Sequence, residues 1–272
     1  MKGIALGQYY PSNSVLHKID PRIKIILAIL YIVCSFLCKN VLSFCVMAAV
    51  SVVLILIGRI PLKIVFRGLK PILFVLIFTS LINVFMTSGD SLLFEWKFIH
   101  VYIEGIYAAL FMVIRIASLV IGTCMFMTYT TTPIDLTDGI EDLLSPLKKL
   151  HVPVHEFAMM MTIALRFIPT LVEETDKIMT AQKARGADFS SGSLVNRAKA
   201  LIPVLIPLFV SAFNRASELA IAMECRCYHG GEGRTRMKVR RVRLVDFIPF
   251  FFIIVLGACL VALNIIGIGY TM

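Results

Sequence analysis

Residues 247–270 read FIPFFFIIVLGACLVALNIIGIGY, 24 positions without a charged side chain. A helix rises about 1.5 Å per residue, so this run can cross the roughly 30 Å hydrocarbon core of a bilayer. Working outward from it, four more apolar runs fall at about 23–38, 41–57, 71–87 and 105–128. The run at 41–57 also lacks charge. The first opens on Arg22 and Lys24, whose stems are expected to snorkel toward water. The third is short for a span. The fourth carries Arg115, and a charge at mid-span ordinarily faces protein or water rather than lipid.

Composition points the same way. The chain has 272 residues, 58% hydrophobic and only 16% charged, with a mean hydropathy of +0.87. Soluble domains sit nearer 45–50% apolar and about 25% charged. The net charge of +10 would suggest nucleic acid in a soluble protein. Here it reads as orientation. With the N-terminus in the cytoplasm, 24 of the 27 Lys and Arg residues lie inside and only Lys39 and Lys97 outside, with Arg115 within a span. Flipping the chain reverses that split, so the positive-inside rule selects this orientation. The first 22 residues contain no apolar core of signal-peptide length, and no cleavage is expected.

The expected architecture is an all-α integral membrane protein. Residues 1–130 form a membrane domain of four spans, 131–245 a cytoplasmic domain of long amphipathic helices, and 246–272 a fifth span. The segment from Leu92 to Glu104 reads as an interfacial loop or hairpin, with Trp96 and Tyr102 suited to the membrane surface. Three helices are predicted in the cytoplasmic domain: Asp135 to Leu144, Val154 to Arg185 and Leu194 to Tyr228. Apolar residues Phe157, Met161, Ala164, Leu165, Ile168, Leu171 and Val172 recur at helical spacing in the second. Pro169 is expected to kink it, and Gly186 to end it. The apolar middle of the third, Leu201 to Phe213, is short for a span and is expected to lie against the membrane and partners. Arg166, Glu173, Glu174, Asp176, Lys177, Arg215 and Glu218 argue against further crossings by these two helices.

Candidate chemistry is sparse. Seven cysteines include no CxxC pair, and Cys225 and Cys227, two apart, face different sides of a helix. His151 and His155 are four apart but Pro153 lies between them, and no third metal ligand is evident. Asp135, Asp138, Glu141 and Asp142 read as a solvated helix face rather than half of a magnesium site. The glycines at 230, 231 and 233 lack the Lys of a phosphate loop and follow a helix rather than a strand. No catalytic, metal or cofactor site is predicted. What stands out is Arg185 and Arg226, each near the end of a long amphipathic helix. A cation is favoured there by the helix dipole, and the guanidinium offers a planar fork to a partner's carboxylate.

Several motifs together carry a resemblance. They are Gly7-Gln8-Tyr9, Asp20-Pro21-Arg22 and Lys24; Leu165-Arg166-Phe167-Ile168-Pro169-Thr170; Ala184-Arg185-Gly186; Ala222 to Tyr228; and Gly230-Gly231-Glu232-Gly233-Arg234-Thr235. In this order, over nearly the whole chain, they resemble the transmembrane T components of energy-coupling factor (ECF) transporters, the CbiQ/EcfT family. The family pattern at the second arginine is usually Ala-Arg-Gly. Here it is Cys225-Arg226-Cys227, which leaves the helix-end geometry open.

The resemblance implies a non-catalytic subunit in the bacterial cytoplasmic membrane. It implies two partner ATPases docked on Ala184, Arg185 and Gly186 and on Cys225, Arg226 and Cys227. It also implies a small membrane protein, the S component, that binds a vitamin and rests on the long helices; ATP is hydrolysed by the partners. Met159, Met160, Met161 and Met179 suit a surface that repacks against several S components and equally suit internal packing. A T component dedicated to cobalt, nickel or biotin, and a membrane enzyme for a lipid or prenyl substrate, are the alternatives.

Overall fold

A computed structural model describes residues 9–87, 92–96, 99–189, 193–231 and 246–266. Gly7, Gln8, Lys97, Glu232 to Thr235 and the end of the last apolar run lie outside the described residues. The chain divides into two compact units. Among the described residues one comprises 9–139 with 246–266, and the other 140–231.

The first unit is a helical bundle. A short turn, α1 (Val15–Lys18), precedes α2 (Pro21–Leu37), α3 (Val41–Gly58), α4 (Leu62–Met86) and α5 (Ile103–Thr123), with α9 (Phe247–Ile266) joining from the far end of the sequence. Pro21 supplies a preset φ at the first position of α2, and the Asp20 carboxylate accepts the Arg22 N–H at 3.0 Å, a capping arrangement. Between α4 and α5 the strands β1 (Leu92–Trp96) and β2 (Ile99–Tyr102) form an antiparallel hairpin, Glu95 opposite His100. Apart from this hairpin the regular structure described is helical.

Among the described residues five helices are long and apolar enough to cross a membrane: α3, α4, α5 with its extension to Tyr129, α8 (Leu194–Cys225), and α9. The chain is an all-α membrane protein. The set differs in two places from the sequence expectation. α2 differs from that set by a single residue of length, 17 against the 18 of α3, and it is packed in the bundle with Leu27 and Tyr31 wholly buried. α8 passes on length and composition. α4 starts nine residues before the expected span, because Lys63, Arg67 and Lys70 ride on its first turns and Pro71 is accommodated inside the helix.

The bundle core forms where α2, α3, α5 and α9 meet. The Tyr31 hydroxyl shares a 2.9 Å hydrogen bond with Ser51 Oγ and donates to the Ser118 carbonyl at 3.0 Å. α5 passes into a π-helix at Cys124–Tyr129. A wider turn leaves carbonyls short of helical donors. Thr130 Oγ1 donates to Met125 O at 2.8 Å, and Thr131 Oγ1 to Phe126 O at 2.9 Å. Lys24 does not snorkel. It is 2% exposed, and its ammonium donates to the Thr130 carbonyl at 2.8 Å and to Thr131 Oγ1 at 3.3 Å. Burial of an ammonium is tolerable only with such partners.

Arg115 also finds its reason here. Its Nη2 donates to the carbonyl of Cys38, the residue that ends α2, at 2.8 Å, and its Cζ lies 5.1 Å from the centre of the Phe44 ring. A guanidinium at a helix C-terminus meets orphan carbonyls and the negative end of the dipole. Asn264 on α9 caps the same end, donating to Leu37 O at 2.6 Å. The charge at the middle of α5 therefore sits at the turn between α2 and α3.

Candidate functional site

The second unit begins within α6 (Pro133–Leu143). It continues through a 3-10 turn (Ser145–Leu150) to α7 (Val154–Ala184) and α8. α7 and α8 start at the expected residues and stop one and three residues sooner than expected. Three prolines lie inside them without breaking them: Pro169 in α7, Pro203 and Pro207 in α8.

Both helices end in the same way. In α7, Arg185 is the cap. Gly186, at φ +88, sends its N–H to Lys183 O at 3.0 Å, and Ala187 sends its N–H to Gln182 O at 3.0 Å. In α8, Arg226 is the cap. Cys227 sends its N–H to Glu224 O at 2.8 Å and Tyr228 to Met223 O at 3.0 Å. This pair of bonds is the Schellman arrangement, which satisfies the last carbonyls and needs a left-handed residue just past the cap. Gly186 adopts that conformation without strain. Cys227 adopts it at φ +56 despite its Cβ. The departure from Ala-Arg-Gly thus leaves the backbone of the second ending unchanged and moves a cost of roughly 1 kcal/mol onto Cys227. Ala184, Arg185, Gly186, Cys225, Arg226 and Cys227 are all exposed.

The two helices run antiparallel. Gln182 faces Pro203, Glu174 faces Ser211 and Arg215, and Ile163 and Phe167 share a cleft with Leu219. Residue numbers rise along one helix as they fall along the other. Arg185 and Arg226 therefore lie at opposite ends of the pair, roughly 30–40 Å apart at 1.5 Å per residue.

Among the described residues three hydrogen bonds between the helices are not visible in the sequence. Glu174 accepts from Ser211 Oγ at 2.5 Å and from Arg215 Nη2 at 3.0 Å. The Ser211 hydroxyl first, and then the Arg215 guanidinium, hold the Glu174 carboxyl below the usual carboxylate range. Gln182 Nε2 donates to Pro203 O at 3.4 Å. That carbonyl would ordinarily accept from the N–H four residues on, and position 207 is a proline. The signal in the sequence was the proline pair, which marks where a helix carbonyl is left open.

Along α8 an apolar face stands exposed, including Leu205, Ile206, Phe209 and Phe213. On α7, Phe157, Met160, Met161 and Ile168 are exposed, whereas Met159 and Met179 are partly covered. The methionines thus divide between surface and packing.

The remaining candidates resolve into structure. Glu141 is 8% exposed and accepts from His155 Nδ1 at 3.0 Å, with Lys148 at 4.0 Å. It is a buried anchor for the start of α7 rather than part of a solvated acidic face. Gly231, past the second arginine ending, packs on His155; a Cβ there would stand 2.7 Å from the ring. His151 sits exposed in a left-handed turn. No cluster of three His, Cys, Asp or Glu suited to a metal occurs among the described residues.

Comparison with known proteins adds the following. Residues 12–237 match the model of the CbiQ family, described as cobalt transport protein. The energy-coupling factor transporter transmembrane protein EcfT of Clostridium kluyveri is 51% identical over 257 residues, covering 94% of this chain and 95% of the relative. The protein of that name from Ruminiclostridium cellulolyticum is 54% identical over 246 residues, 90% and 91% of the two chains. That from Bacillus subtilis is 48% identical over 238 residues, 88% and 89%.

Proposed function

Because the chain belongs to the CbiQ family and stands with the EcfT transmembrane proteins of energy-coupling factor transporters, we propose that it couples ATP hydrolysis in two partner ATPases to uptake of a vitamin or similar micronutrient. In this reading the chain is itself non-catalytic. It lies in the bacterial cytoplasmic membrane with its N-terminus inside. Ala184, Arg185 and Gly186 enter one ATPase, and Cys225, Arg226 and Cys227 the other.

The observation that carries the reading is the matched pair of endings. Two long helices present an arginine at the same position of the same backbone turn, both exposed, at opposite ends of one antiparallel pair. Two separate partners, each with a carboxylate-lined groove, fit that arrangement. A guanidinium keeps its charge at every physiological pH and pairs in a fixed geometry.

The exposed apolar residues of α7 and α8 then hold a substrate-binding S component. Closure of the ATPases on ATP displaces the arginine-capped ends, and the apolar surface shifts with them. The S component reorients and releases its cargo inside. The exposed Met160 and Met161 suit exchange among several S components, since unbranched thioethers repack readily.

A pull-down on the full chain in detergent tests the docking. Two ATPases are expected to copurify with wild type and to be lost with Arg185→Glu combined with Arg226→Glu. Retention of both by the double variant would overturn the assignment. A second reading, a T component dedicated to one cobalt, nickel or biotin importer, is favoured by the family description as cobalt transport protein. One fixed substrate-binding partner in the same pull-down would select it, and several would select the shared type.

A further inference from the structure

We propose that Glu174, Ser211 and Arg215 form a pivot that positions the two arginine-capped ends relative to each other. The proposal deepens the docking reading and rests on it for its function; the geometry stands on its own.

The argument begins with the prolines. Each proline inside a helix removes one N–H donor and crowds the preceding turn, so the helix is weakest there. In α7 the proline is at 169, and in α8 the last is at 207. Beyond them, 170–184 and 208–225 contain neither proline nor glycine. The arginines are thus carried on two uninterrupted rods, each set off from the rest of its helix by a proline.

Among the described residues the two rods are tied to each other at one polar point. Glu174 accepts from Ser211 Oγ through one carboxylate oxygen and from Arg215 Nη2 through the other. Arg215 Nε reaches Ser211 Oγ at 3.5 Å, so the three side chains close a ring. The placement is symmetric. Glu174 precedes Arg185 by eleven residues, and Arg215 precedes Arg226 by eleven. Each tip stands about 16 Å beyond the tie.

Leu171, Leu205 and Phe209 line an open apolar cleft on one side. On α8 a second hollow is lined by Ser211 and Arg215 together with Pro207, Asn214 and Glu218. Gln182 reaches the Pro203 carbonyl only at 3.4 Å. Apolar packing between the helices, as where Ile163 and Phe167 meet Leu219, sets their general alignment. The three-residue ring adds a directional tie to that packing at a single level along the pair. Equal arms then make any turn about it move both tips by the same amount. Glu174, Ser211 and Arg215 are positioning residues: they set where Arg185 and Arg226 meet the ATPases.

The test is a distance between tips in the full chain in lipid nanodiscs. Nitroxides are attached through azide-bearing residues at Lys183 and Glu224, leaving the native thiols unlabelled. Wild type is expected to give one narrow distance. Glu174→Arg and Arg215→Glu should each broaden the distribution at least twofold, and Ser211→Ala should broaden it less. The charge swap, Glu174→Arg with Arg215→Glu, should restore most of the wild-type width. A merely structural loss would not be rescued by exchanging the charges. Unchanged widths in both single variants, or a swap as broad as either, would overturn the pivot. The same samples are scored for retained ATPases. Loss of ATPases from wild type would count against docking while the distances still judge the pivot.

Discussion

Tyr31 lies flat against Gly122, so close that a Cβ at 122 would collide with its ring. The ring is wholly buried and its hydroxyl is bonded to Ser51 and Ser118, so it has nowhere to retreat. Gly122→Ala should destabilise the bundle by about 1–3 kcal/mol through overpacking. The check is the thermal midpoint in detergent. In a Tyr31→Ala background the same substitution should cost much less, since the obstacle is gone.

Lys24 holds the end of the π-helix. Lys24→Met keeps much of the stem but leaves the Thr130 carbonyl without its ammonium donor. A cost of roughly 1–3 kcal/mol is expected for the unsatisfied group. Protease resistance around residues 129–132 should fall with it, and no change there would remove the structural role argued for this contact.

Arg115 is expected to be structural. Arg115→Leu should lower the midpoint by an amount that Arg115→Lys only partly repairs, because a single ammonium cannot reproduce the guanidinium over the Phe44 ring. A double-mutant cycle of Arg115→Leu with Phe44→Leu should return a coupling of about 0.5–2 kcal/mol. A cycle that closes at zero would dismiss the ring contact.

The helix endings make opposite predictions at equivalent positions. Cys227→Gly should slow amide exchange in the last turn of α8, relieving roughly 1 kcal/mol of left-handed strain. Gly186→Val should accelerate exchange in the last turn of α7. Neither substitution removes an arginine.

Acid should loosen the pivot. Glu174 has a carboxyl held below its ordinary value by Ser211 and then Arg215. A depressed folded value means that the contribution is present above the unfolded pKa, about 4.3 for Glu, and is lost as pH falls through the lower folded value. The distance between labels at Lys183 and Glu224 should be the same at pH 7 and pH 5 and broaden below about pH 4. Glu174→Gln should be broad throughout and insensitive to that range.

Much of this was readable along the chain. The runs at 41–57 and 247–270 needed only length and absence of charge, and α7 and α8 start where their patterns begin. Arg185 and Arg226 were legible because a helix end is a local event. What could not be read were partners distant in sequence. Lys24 looks like a snorkelling residue until Thr130, 106 positions away, is placed beside it. Glu174 and Arg215 are 41 apart, and each alone is an ordinary surface charge. Glu141 appeared solvated because its neighbours in sequence are acidic, whereas its burial depends on His155. α4 starts at Leu62 rather than 71 because its first turns carry Lys63, Arg67 and Lys70, charges that an apolar run does not contain.

The ending at Met223 to Tyr228 bears on how relatives of this chain are to be sought. What repeats between the two arginines is a turn of the main chain, and the letters around them are only one spelling of it. A search string demanding glycine after the second arginine would pass over this molecule. A query framed as a left-handed step after an arginine at a helix terminus would retrieve it.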